Sequence, residues 1–193
     1  MINKYEINLT GITPLLMHST RGVNPLDPDA QTLKKLTSKR KKTEEDLYEI
    51  MRLEYKLNAY YNDEIGFYIP AEVIEGCIRE GGKANKNGKN IQLALRVVEE
   101  LVPLKHDGSN NIDELYKDNN FKDVRYVTVQ RGKIIRTRPR FNRWWLSFTI
   151  EVNSDILAQE DLITALDQAG TRAGIGDYRI RYGKFQSTLK QVG

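Results

Sequence analysis

Hydrophobic and polar residues alternate with a period of two in "YEINLTGIT", where Tyr5, Ile7 and Leu9 interleave with Glu6, Asn8 and Thr10. That period predicts a strand with one buried face. Pro14 ends it, and "HSTRGVNPLDPDAQ", with Gly22, Pro25 and Pro28, reads as a loop. Spacing becomes helical in "TEEDLYEIMRLEYKLNAYY", which begins on a Thr43/Asp46 cap and carries Leu47, Ile50, Met51, Glu54 and Leu57 as a mostly apolar stripe. A helix over about 43–60 is predicted. "GFYIPAEVIEGCIREGGK" predicts a strand to Ile69 and then a helix that places Val73, Ile74, Cys77 and Ile78 on the core and stops at Gly81 and Gly82. "ANKNGKN" reads as a basic polar loop, and "IQLALRVVEELV" as a further helix with Ile91, Leu95, Val98 and Val102 on one side.

The stretch 107–123 is polar and rich in turn formers, so it is expected to be irregular. "VRYVTVQ" and "KIIRTRP" follow as a hairpin turning at Arg131 to Lys133. The clearest strand is "RWWLSFTIEV": Trp144, Leu146, Phe148, Ile150 and Val152 alternate inward, which leaves Trp145 outside. A helix over "EDLITALDQAG" capped by Gly170, a loop "TRAGIGD" and a last strand "YRIRYGKFQ" complete the chain. This order predicts an α+β architecture with helices on one face of an antiparallel sheet.

With 193 residues, 39% of them hydrophobic, one sizeable core and a single domain are expected. A net charge of +4 argues little by itself. Its distribution argues more, because "VQRGKIIRTRPRFNRWWLSF" gathers Arg131, Lys133, Arg136, Arg138, Arg140 and Arg143 beside Trp144, Trp145 and Phe148 without one carboxylate. Cations hold phosphates and flat rings stack on unpaired bases, so this pattern points to single-stranded RNA or DNA. Lys133, Arg136, Arg138, Arg140 and Arg143 would hold the backbone while Trp145 stacks. An acidic protein partner would engage the same arginines, which keeps an assembly or inhibitor protein as an alternative.

One cysteine, Cys77, excludes an internal disulfide and multi-cysteine zinc, and no cofactor or metal is expected. The chain offers no run of about 20 apolar residues and no signal-type segment at its start, so a cytoplasmic protein is expected. For catalysis the candidate is His18, usable as a general base after the first strand.

"INLTGITPLLMHS", "FYIPAEVIEGCIRE" and "EDLITALDQAGTRAGIGDYRIRYGKFQ", in that order, resemble the opening strand, the "IPGSSLKGALR" segment and the closing glycine loop of the repeat-associated mysterious proteins. This RAMP superfamily includes CRISPR effector backbone subunits; a phage or mobile-element relative fits equally. Ala71 and Glu72 stand where the family has glycine and serine. The resemblance implies a ferredoxin-like (RRM-like) domain with a helical insertion near 31–62 and an irregular one near 83–123. It also implies single-strand binding, assembly as a homo-oligomer or nucleoprotein subunit, and a phosphate-approaching loop of Gly174 and Gly176 with Arg179 and Arg181 in the same groove. Some RAMP proteins cleave RNA without a metal, which makes a His18 endoribonuclease the alternative implied, and Asp27 and Asp29 occupy the loop where some backbone subunits of the family keep a cleaving aspartate.

Overall fold

The computed structural model describes residues 1–129, 132–179 and 181–192, without the side chains of 129, 132 and 133. In chain order the elements are β1 (Ile2–Gly11), β2 (Leu15–Leu16), α1 (Pro28–Ser38), α2 (Glu44–Asn58), β3 (Tyr61–Asn62), β4 (Gly66–Pro70) and α3 (Ala71–Gly82). There follow α4 (Gly88–Ala94), β5 (Leu95–Val97), β6 (Leu101–Pro103), β7 (Lys105–His106), α5 (Ile112–Lys117), β8 (Lys122–Val129), β9 (Gly132–Phe141), β10 (Trp144–Asn153), α6 (Gln159–Gln168) and β11 (Phe185–Gln191).

The central sheet runs β11-β1-β10-β5 with every neighbour antiparallel. Taken with α3 and α6, the chain order β1, α3, β5, β10, α6, β11 is the split βαβ, ferredoxin-like arrangement. Register follows the alternation: Tyr5, Ile7 and Leu9 lie opposite Ile150, Phe148 and Leu146, all six buried beneath the helices. The two helices meet closely at Gly81, where a β-carbon would run into the backbone of Ala165 and Ala169. Gly81 therefore serves helix packing, and α3 continues through Gly82. A second sheet, β2-β9-β8, stands beside the first with α2 docked on β9. Among the described residues no helix is long and apolar enough to cross a membrane.

Several elements differ from the pattern-based expectation. The apolar run from Ile91 does not stay helical to Val102; it turns to strand at Leu95, because Leu95 and Val97 pair with Val152 and Ile150 and complete the sheet. Residues 107–123 are not irregular: Ile112, Leu115 and Phe121 are buried and α5 is capped by the Asn111 side chain. Pro28, read as part of a loop, begins α1, with the Asp27 carboxylate accepting the amides of Asp29 and Ala30. Gly170 does not end α6, which passes into a π turn over Ala169–Ala173 and stops at left-handed Gly174. The last strand starts at Phe185, and the described residues from Tyr178 to Lys184 form turns before it.

Candidate nucleic-acid interface

β9 places Arg136, Arg138 and Arg140 on one face and buries Thr137, Pro139 and Phe141 on the other. Across the hairpin Arg125 pairs with Arg136, and Asp123 with Arg138. The expectation that these cations lack internal counter-ions is corrected by the fold. Arg136 pairs with Glu54 of α2, Arg125 with Asp123, Arg138 with Asp177 at 3.0 Å and Arg143 with Asp107 at 2.6 Å. On the strand face four guanidinium groups, Arg125, Arg136, Arg138 and Arg140, meet three carboxylates, Asp123, Glu54 and Asp177, and one net positive charge remains. Arg140 makes no ion pair among the described residues, and its Nε is buried without a partner. The side chain of Lys133 lies outside the described residues.

Trp144 is 1% exposed and donates its indole N–H to the Thr13 carbonyl at 2.9 Å, whereas Trp145 is 38% exposed on the open face of the sheet. Arg179 and the α3–α4 region lie on the helix side, so the fold does not bring Trp145 together with them. In the loop after α6, Gly174 and Gly176 have φ of +74° and +84°. A β-carbon on Gly176 would strike the Leu16 carbonyl, and Asp177 donates its amide to that same oxygen at 2.8 Å. These glycines fit the loop against β2, a close approach within the chain. Arg179 and Arg181 remain exposed beyond it.

A further cluster had no motif to announce it. A hollow of about 350 Å³ between α3 and α4 is lined by Arg79, Lys83, Lys86, Gly88, Lys89 and Gln92. Lys83 pairs with Glu80 at 2.6 Å, while Arg79, Lys86 and Lys89 form no ion pair among the described residues. Glu80 is held below the usual carboxylate range by the Lys83 hydrogen bond, with the charges of Arg179 and Arg79 adding. Burial lowers the Lys184 ammonium from its ordinary value, and the like charge of Arg179 lowers it further; its Nζ donates to the Arg172 carbonyl. Arg79, Lys83 and Arg179 thus stand near Glu80, and Lys184 near Arg179. On the far side of Arg79 stand Glu72 and Glu75, the latter accepting the Val97 amide at 2.8 Å.

His18 is exposed, and its Nδ1 lies 2.6 Å from Asn58 Oδ1. Asn58 Nδ2 donates to the Glu54 and Thr137 carbonyls, so its oxygen must accept, and His18 Nδ1 must carry the proton. In the neutral ring Nε2 of His18 is then the nitrogen without a proton. Asp27 and Asp29 are both engaged by Arg21, at 2.6 and 2.8 Å. Burial pushes the Cys77 thiol up to about 12, and its Sγ sits 3.2 Å from the Gly174 carbonyl, which suits packing and not nucleophilic attack. Among the described residues no group of three or more His, Cys, Asp or Glu side chains is arranged to hold a metal ion.

No protein-family model matches the chain, and no curated protein matches it. Among solved structures, a Cas6 product complex matches with a TM-score of 0.24 and 14% identity over 96% of this chain and 50% of that one. The chain therefore spans about half the length of that protein. A likeness at this level carries no functional information.

Proposed function

We propose that the protein binds single-stranded nucleic acid by its phosphates, on a cationic surface running from the α3–α4 hollow to the loop after α6. The observation that carries this reading is the gathering of Arg79, Lys83, Lys86 and Lys89 in one hollow, where among the described residues Lys83 alone of the four is ion-paired, with Arg179 near Glu80 and Lys184 near Arg179. Like charges so close repel unless an anion arrives, and a polyanion releases its counter-ions on meeting them. The arginines of β9 and of the turn after it contribute less than their number suggests, since Arg136, Arg138 and Arg143 already have carboxylate partners. RNA and DNA both satisfy this chemistry, and assembly along the strand is part of the proposal.

The test compares two reversals of equal charge, Arg79→Glu/Lys86→Glu/Arg179→Glu and, on the linker before α2, Arg40→Glu/Lys41→Glu/Lys42→Glu. Fluorescence anisotropy with single-stranded RNA, single-stranded DNA and duplex at two salt concentrations reads the affinity. The first triple is expected to lose single-strand binding and to flatten a salt slope of about 0.7 per phosphate contact, and the second to retain both. Equal losses in the two, or a preference for duplex, overturn the assignment.

The fixed tautomer of His18 favours a second reading, a metal-independent endoribonuclease in which Nε2 takes the proton of a ribose 2′-hydroxyl. In the same binding mixtures, labelled RNA would then give discrete fragments with the wild type and none with His18→Ala. Intact RNA in both removes this reading and leaves the binding one.

A further inference from the structure

Tyr178 combines an unfavourable backbone with an exposed ring. Its φ is +50°, and Lys86 is the one other residue besides glycine with positive φ among those described. Glycine takes this conformation at no steric cost; a bulky residue does not. The turn that imposes it is closed by the amides of Arg181 and Tyr182, each donating to the Tyr178 carbonyl at 3.1 Å. A tyrosine held this way for packing would be expected to be buried, yet Tyr178 is 52% exposed.

Behind the ring lies a fixed support. The Arg125 guanidinium carbon stands 5.5 Å from the Tyr178 ring centroid and 5.2 Å from that of Tyr182, and the two ring centroids are 5.9 Å apart. Arg125 donates to the Tyr182 hydroxyl at 3.0 Å and to the Asp123 carboxylate, so the cation cannot swing away. Attraction between the guanidinium and the ring faces offsets the backbone cost and pre-sets the ring's orientation. Arg179 and Arg181 flank the tyrosine in sequence and are exposed, which puts phosphate-holding groups within one or three residues of a presented aromatic ring.

We infer that Tyr178, backed by Arg125 and Tyr182, is a stacking site for one unpaired nucleobase. The inference rests on the nucleic-acid reading above and extends it from phosphates to bases. A flat ring accepts any base, so the site would add preference for single strands over duplex without sequence selectivity.

The experiment measures binding of a single-stranded oligodeoxyadenylate, the equivalent oligoadenylate RNA and an abasic DNA oligomer of the same length to the wild type, Tyr178→Phe and Tyr178→Ala. The wild type and Tyr178→Phe should prefer the base-bearing strands by about tenfold, and Tyr178→Ala should bind all three alike, with one salt slope shared by the three proteins. Tyr178→Ala that keeps the full preference for bases overturns the stacking site while phosphate binding stands. If no strand binds any of the proteins, the nucleic-acid reading falls and this inference with it.

Discussion

His106 is a half-buried histidine packed against the aromatic rings of the core. Its ring lies 4.8 Å from that of Phe141 and 5.5 Å from that of Phe67, and its Nδ1 accepts the Gly108 amide at 3.1 Å. Burial holds it below the ordinary histidine value, although Asp107 and Asn110 pull the other way. The folded state therefore resists a proton that the unfolded chain takes up below about pH 6.5. Stability should be level above that pH and should decline as the pH falls from there toward the depressed folded value. Urea unfolding at about pH 7.5, 6.5 and 5.5 checks this: in His106→Asn, which keeps an acceptor for Gly108, the part of the decline that begins near 6.5 should vanish. At this scale Trp144 and Trp145 were legible in the sequence, because a strand's period of two sorts inside from outside. The partners of Arg136 and Arg143 were not. Those ion pairs close over 82 and 36 residues of chain, and no local pattern reports which distant carboxylate will arrive.

Helix α2 shows what element-level patterns capture and where they stop. Its capping box, with the Thr43 side chain accepting the Asp46 amide and the Asp46 carboxylate accepting the Thr43 amide, was readable because both partners lie within one turn. Its buried face was only partly readable: Leu53, Glu54, Tyr55, Leu57 and Asn58 face inward, whereas Leu47 is 46% exposed. The odd member of that face, Glu54, is the one that docks the helix. Its Oε2 accepts the Thr137 amide at 2.9 Å and its Oε1 meets Arg136, while Asn58 donates to the Thr137 carbonyl at 3.1 Å. Both backbone groups of one β9 residue are thus satisfied by side chains of α2 in place of a neighbouring strand. Glu54→Ala would strand the Thr137 amide and should cost about 1–3 kcal/mol, measured as a lower unfolding midpoint with faster hydrogen exchange at Thr137. Glu54→Gln, which retains an acceptor oxygen, should lose less. The run from Ile91 was misleading for a different reason. Short apolar segments satisfy helix and strand patterns alike, and the vacancy beside β10 decided for strand at Leu95.

Across the whole molecule, 30 lysines and arginines stand against 26 aspartates and glutamates, and folding sorts them unevenly. The β9 face is nearly balanced by Glu54, Asp123 and Asp177, while the α3–α4 hollow and the loop after α6 hold their cations with little opposition. The overall α+β order followed from element periodicities, but this division could not, since it depends on which elements the fold sets side by side. It has a consequence for acid. The Arg143 hydrogen bond holds Asp107 below its ordinary value, Lys56 does the same for Asp113, and at Asp27 the opposing effect of burial is outweighed by Arg21 and two backbone amides. Carboxylates depressed in the folded state contribute stability above their unfolded value of about 4, and that contribution is lost as the pH falls through the folded values. Protonation of these three leaves Arg21, Arg143 and Lys56 unopposed, and their like charges join those of the hollow in repelling one another. Circular dichroism at about pH 3 should show unfolding in about 0.05 M salt and retained structure in about 0.5 M, where screening shortens the reach of that repulsion to a few ångströms. At about pH 7 the same salt change should move the thermal midpoint little, because the exposed ion pairs it weakens are each worth about 0–1 kcal/mol. If the protein binds single strands as proposed, the same change should nevertheless release them, since binding that displaces counter-ions condensed on phosphates weakens as salt rises. A protein that at neutral pH lost its fold and its ligand at one salt concentration would show that the hollow is held together by the ligand and not merely open to it.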